Sequence, residues 1–214
     1  KNILNNPYYV FNIFAKDVDQ KIISKIRDQK IFLKNICKKN GLIPGIDARD
    51  HLIYQKKENK LCRKLIRGGN VKKHRIEYKN EYLEYDRKKI HRARPDELWR
   101  ANKKIFIQRI SGGDNPLVCA IDENKLLGFA STNILLLHEE FEKMYSYELI
   151  SSIINSKLIN YFYSKSFSNA SDLTVNISTS YLEEIPIPKI NKQNLSIIKK
   201  IEKEYKETIL KKND

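Results

Sequence analysis

Lys104-Ile-Phe-Ile-Gln-Arg-Ile110, followed by Ser111-Gly-Gly-Asp-Asn-Pro116 and Leu117-Val-Cys-Ala-Ile121, is the stretch on which the reading of the fold turns. A run of β-branched and aromatic residues is cut by a turn rich in Gly, Asn and Pro, and a second apolar run follows; this is the pattern of paired strands. Working outward, the polar turn Asp122-Glu-Asn-Lys125 leads into a further strand from Leu127 to Leu137. Upstream, His74 to Tyr78 and Tyr82 to Tyr85 flank Lys79-Asn-Glu81 in the manner of a β-hairpin. A short strand is expected at His51 to Tyr54, after Gly41-Leu-Ile-Pro-Gly45, which reads as a loop. The middle of the chain is therefore mainly β.

Helical periodicity brackets this region. Asp17 is placed to cap a helix to about Lys30, with Val18, Ile22, Ile23 and Ile26 on one face. Tyr147 to Lys165 carries Leu149, Ile150, Ile153, Ile154, Leu158, Ile159 and Phe162 at the spacing of one buried helix. Ser180 and Glu183 resemble a capping box on a short turn that Pro186 and Pro188 stop. From Lys192 onward, Leu195, Ile198, Ile201, Tyr205 and Ile209 form an apolar stripe expected to pack against its own domain or a partner; a docking role would leave it exposed and make the isolated chain associate or lose solubility. The expected class is α+β: a β-rich central domain at 31–190, an N-terminal segment and helix at 1–30, and a long C-terminal docking helix at 191–214.

The chain has 214 residues, 41% of them apolar, which supplies a sizeable core and excludes a disordered chain. Its formal charge is +15, and the segment from Arg63 to Arg109 holds sixteen Lys or Arg against six Asp or Glu, a net of +10. Because Ile76, Tyr82, Leu83, Trp99 and Phe106 interleave with these charges, the reading is a folded basic surface, for which nucleic acid is the commonest partner. A Lys-rich solvated surface produced by compositional bias would spread its excess evenly. No apolar run approaches the ~20 residues that span a bilayer. No secretory signal pattern is visible either. Cys37, Cys62 and Cys119 are odd in number and far apart, which fits a reducing cytoplasm better than a disulfide framework or a zinc site. The chain opens on Lys1 and its sole methionine is Met144, so a segment of a longer polypeptide is expected.

Catalytic patterns are few. No G-x-G-x-x-G or P-loop is present, and the isolated histidines form no zinc motif. Asn6-Pro7-Tyr8-Tyr9 is one proline short of the loop with which aminomethyltransferases hold an extruded adenine. Pro95-Asp96 with Glu123-Asn-Lys125 fits the carboxylate and lysine pattern of metal-dependent nucleases, in which two acids bind Mg²⁺ and a lysine polarises water. That chemistry wants Glu123 and Lys125 on one strand, whereas here they fall in a turn. No catalytic or metal-ligating residue is assigned to this chain.

Several blocks in order carry a resemblance. Leu65-Ile-Arg-Gly-Gly-Asn-Val71, Arg75-Ile-Glu-Tyr78, Tyr82-Leu-Glu-Tyr85, His91-Arg-Ala-Arg-Pro95 and Ile107-Gln-Arg-Ile-Ser-Gly-Gly113, then Ser131-Thr-Asn133, Ile154-Asn-Ser-Lys-Leu-Ile-Asn-Tyr161 and Ile185-Pro-Ile-Pro188, resemble the TaqI-like C-terminal specificity domain over roughly Ile31 to the C-terminus. The Ile-Pro-Ile-Pro stretch and long helix are also similar to type I restriction specificity subunits. The resemblance implies a target-recognition module of an adenine-specific DNA methyltransferase or type IIG restriction-modification enzyme. A methyltransferase domain of the same polypeptide, preceding these residues, would bind S-adenosylmethionine and carry the catalysis.

On that reading Lys72, Lys73, Arg75, Arg87, Lys88, Lys89, Arg92 and Arg94 are expected to hold the phosphates of double-stranded DNA. Arg67, Asn70, Arg109, Ser111, Asp114, Asn115 and Asn133 are the base-reading candidates, since Arg pairs with guanine and Asn with adenine in a groove. The alternatives are a Mg²⁺-dependent nuclease using Asp96, Glu123 and Lys125, and an RNA-binding or protein-docking domain.

Overall fold

A computed structural model describes residues 16–29, 31–113, 115–167 and 175–210. The Asn6–Tyr9 motif and Asp114 lie outside the described residues.

The two apolar runs on either side of the Ser111 turn form the centre of the molecule. Strands β8 (Lys104–Gln108) and β10 (Cys119–Asp122) pair antiparallel, Cys119 opposite Ile107. Strand β12 (Thr132–Leu137) lines the other side of β8, and β2 (Cys37–Pro44) closes the order β10-β8-β12-β2. All six residues of β12 are buried, as are the first four of β8, because both faces of the sheet are covered. The Gly41–Gly45 stretch, expected as a loop, is largely inside β2. As an edge strand β2 tolerates Pro44, and the register shift between Leu135 and Leu137 absorbs its irregularity.

A second sheet, ordered β11-β4-β7-β3, comprises Leu127–Gly128, Cys62–Ile66, Tyr82–Glu84 and Ile53–Tyr54. Gly128 is where the two sheets meet: a Cβ there would lie 2.5 Å from the Phe106 ring. The stretch Leu127–Leu137, expected as one strand, is thus two. Strand β11 runs parallel to β4, residues 129–131 cross between sheets, and β12 begins at Thr132. The expected hairpin around Lys79–Glu81 is also replaced. Residues Arg75–Ile76 (β6) pair with Val71–Lys72 (β5) through a two-residue turn in which His74 takes a positive φ, while β7 joins β4 and β3.

The helix expected over Tyr147–Lys165 breaks at Asn155–Ser156 into α5 (Tyr147–Ile154) and α6 (Lys157–Phe167). The break has a purpose in packing. The buried Asn155 side chain accepts from Cys119 N and donates to Cys119 O, and Asn160 Oδ1 accepts from Leu117 N at 2.7 Å. Two amides thereby satisfy backbone groups of the edge strand β10 and its approach, which burial would otherwise orphan.

Helix α1 (Asp17–Arg27) packs on α6, where Asp19 accepts from the Tyr161 hydroxyl and the Arg27 guanidinium lies 5.6 Å from the Phe162 ring centroid. Helix α8 (Leu195–Leu210) packs along α5 and buries Ile198 and Tyr205. Of the two surfaces expected to receive the stripe, its own domain takes most of it; Leu195 of the stripe and the neighbouring Ile197 remain exposed. No helix among the described residues is long and apolar enough to cross a membrane. The chain is α+β.

Candidate nucleic-acid interface

The crossing at 129–131 gathers cations from segments far apart in sequence. Arg109, just past the end of β8, donates from Nη1 to Ala130 O at 3.1 Å, and its backbone N–H donates to Ser131 O. Arg94 donates from Nε to Gly45 O at 3.1 Å, and Gly45 itself packs on the Phe129 carbonyl. Arg67 lies with its guanidinium 4.6 Å from the Phe129 ring centroid. Burial, and then the like charges of Arg92 and Arg109, pull the Arg94 guanidinium below its ordinary pKa. Arg94 also holds a left-handed backbone, φ +64°. Like charges brought together on a strained backbone define a place that an anion would stabilise.

Gly45 sets how closely the elements of this junction approach. An added Cβ would lie 2.3 Å from Phe129 O and 2.4 Å from Gly128 O, both backbone atoms. Gly45→Ala is expected to destabilise the fold by about 1–3 kcal/mol, read as a lowered thermal midpoint. An unchanged midpoint would show that the 129–131 crossing is not rigid.

The β5–β6 hairpin presents a second set of cations. His74 N–H donates to Cys119 O at 3.0 Å, and the ring meets Tyr205 of α8 edge-on at 5.1 Å. Gln108 of β8 donates to Val71 O at 2.6 Å. These ties hold the hairpin that carries Lys72, Lys73 and Arg75 against β8 and β10. Among the described residues Lys72, Lys73, Lys88, Arg92, Arg94 and Arg109 have no acidic partner within ion-pair distance. Arg75, Arg87 and Lys89 do, in Glu77, Asp96 and Glu84. Of the eight phosphate candidates five thus have no ion pair among the described residues, although Asp47 acts on Arg94 from farther away.

Two base-reading candidates are consumed by the fold. Asn70 is buried and its Oδ1 accepts from Arg67 N at 2.7 Å, closing the 3₁₀ turn Gly68–Asn70. Asn133 is fully buried in β12 and donates to Ile177 O at 2.8 Å. Neither can reach a groove without unfolding its surroundings. Ser111 is half-buried in β9 (Ile110–Ser111), which pairs with β13 (Val175–Asn176), and Asn115 is exposed.

The acids of the nuclease pattern are engaged by different cations. Asp96 accepts from Tyr85 at 2.8 Å and from Arg87, which together hold its carboxyl below the usual range. Glu123 pairs with Lys103 at 3.0 Å, and Lys125 occupies a positive-φ turn. Among the described residues no group of three or more His, Cys, Asp or Glu is placed to hold a metal ion.

A family model described as the TaqI-like C-terminal specificity domain matches residues 63–187. The chain belongs to this family. No curated protein matches the chain. The specificity-domain match begins in β4 and ends in β14 (Pro186–Ile187), so it takes in the Arg67 turn, the β5–β6 hairpin, Arg92, Arg94, Arg109 and the 129–131 crossing. Within this specificity domain, Glu81 and Phe129 were not among the residues singled out by sequence. They meet Arg67 from two other segments, and no spacing rule links positions 67, 81 and 129.

Proposed function

We propose that this chain is the DNA target-recognition module of a restriction-modification enzyme, holding duplex DNA for adenine N6 methylation by a methyltransferase domain of the same polypeptide. That domain would bind S-adenosylmethionine and supply the chemistry; the 214 residues here supply the grip and the choice of sequence. The observation that carries the reading is the convergence of Arg92, Arg94 and Arg109 with no ion pair to any of the three among the described residues and only Asp47 acting on Arg94 from farther away, in a chain of the specificity-domain family. An anion that runs past several such groups in register is a phosphate backbone, and neutralising its charges releases condensed counterions. Lys72 and Lys73 on the hairpin would supply further phosphate contacts.

Fluorescence anisotropy on labelled duplexes, with a salt titration, tests this. Binding is expected to weaken linearly in the logarithm of salt concentration, with Lys72→Ala or Arg92→Ala each reducing the slope by about 0.9 whatever the sequence. Tighter binding to structured RNA at equal salt would overturn the DNA assignment. Metal-dependent cleavage of plasmid DNA that is lost in Asp96→Ala would replace the proposal with the nuclease reading.

A further inference from the structure

One guanidinium in this surface differs from the others in how firmly it is held. Arg67 donates from Nε to Glu81 Oε2 at 2.8 Å, and its face lies 4.6 Å from the Phe129 centroid. Its backbone is pinned as well. Asn70 brackets it through both the Arg67 N–H and the Arg67 carbonyl, and the next amide, Gly68 N–H, donates to Ser131 Oγ at 2.9 Å. A Cβ at Gly68 would lie 2.4 Å from Ser131 O, so this turn sits directly on the crossing between the sheets.

An arginine has five N–H donors in a planar fork. With Nε–H given to Glu81 and a face covered by the ring, the outer Nη1 and Nη2 edge remains, and among the described residues neither nitrogen has an acceptor. The side chain is 38% exposed, so that edge is accessible. Two parallel donors presented end-on match two things in duplex DNA: the O6 and N7 acceptors of guanine in the major groove, and a phosphate. Charge decides between them. Arg92, Arg94 and Arg109 have no ion pair among the described residues, whereas Glu81 already neutralises Arg67, so the pair offers little long-range attraction to a phosphate but keeps its directional donors. Immobilising the side chain before binding also removes the entropy loss that a free arginine would incur on docking to one base.

We propose that Arg67 reads a guanine in the major groove and that Glu81 and Phe129 are positioning residues that aim it; this rests on the DNA-recognition reading above. Arg67, Glu81 and Phe129 come from three separated segments, so the base read is set by the seam between the two sheets rather than by a mobile loop.

The test begins by selecting bound duplexes from a randomised library with the wild-type chain. Affinity is then measured for the selected duplex and for versions carrying 7-deazaguanine at each guanine in turn, which removes the N7 acceptor alone. One guanine is expected to lose at least roughly fivefold in affinity. That sensitivity should vanish in Arg67→Ala and in Arg67→Lys, which keeps the charge and lacks the fork. Glu81→Gln and Phe129→Leu should weaken discrimination at that same guanine and leave preference at other positions intact, an effect that general loosening of the fold would not produce. The salt slope should stay near its wild-type value in Arg67→Ala. A slope lowered by about 0.9 with every base preference retained would identify a phosphate contact and overturn the inference while the DNA-recognition reading stands. A wild-type chain that binds duplexes with no sequence preference would overturn both.

Discussion

Joint replacement of Arg92, Arg94 and Arg109 by alanine is expected to weaken duplex binding roughly a thousandfold, from three charge-assisted contacts at about 1.5 kcal/mol each. The salt slope should fall by about 2.7, one increment of 0.9 for each phosphate released. Titration calorimetry or anisotropy at two salt concentrations reads both quantities. Equal weakening at low and high salt would mean that the three arginines do not meet phosphate. Arg94 offers a sharper variant, because its backbone is left-handed at φ +64°. Arg94→Gly should bind more weakly yet melt close to wild type, since relief of the backbone, about 1 kcal/mol, offsets the lost bond to Gly45. A separation of that kind is the mark of strain kept for a ligand, and a matching fall in stability would contradict it.

Lys104→Met is expected to lower the unfolding free energy by about 3–5 kcal/mol, the consequence of leaving one buried charge without its partner. Lys104 and Asp122 are both fully buried in register on β8 and β10, with Nζ 2.6 Å from Oδ2 although off the axis of a well-aligned hydrogen bond. Burial pulls the lysine below its ordinary pKa, against the opposing pull of Asp122. Asp122 has further duties: its carboxylate accepts the backbone N–H groups of Asn124 and Leu126, which fixes the turn into β11. Asp122→Ala should therefore cost more than Lys104→Met, and Lys104→Met with Asp122→Leu should fail to restore the wild-type midpoint. Urea denaturation with an unchanged m-value checks the ranking. A double variant as stable as wild type would show that the two accepted amides contribute nothing.

Much of the architecture is visible in the chain itself because apolar periodicity is local. The Lys104–Gln108 run, the Asp17–Arg27 helix and the Leu195–Leu210 helix follow from spacing that any two turns or pleats reveal. The class of partner is visible for a similar reason, since charge is a sum over residues and needs no coordinates. The errors share one cause. Pairing is a long-range choice: the residues after His74 pair backward across a two-residue turn, and β7 is taken by β4 and β3, so no hairpin spans Lys79–Glu81. Gly41–Gly45 reads as a loop by composition, yet β12 offers it an edge to pair with.

The candidate site divides along the same line. Sequence alone determined an α+β chain with its positive charge concentrated between Arg63 and Arg109, because composition and period survive without knowledge of neighbours. Only the tertiary structure decided which of those charges are free. Glu77, Asp96 and Glu84 neutralise Arg75, Arg87 and Lys89, and Asn70 and Asn133 are spent on backbone groups inside the fold. It also joined Arg67, Glu81 and Phe129, because a crossing between two sheets brings together residues whose separation along the chain carries no trace of their contact.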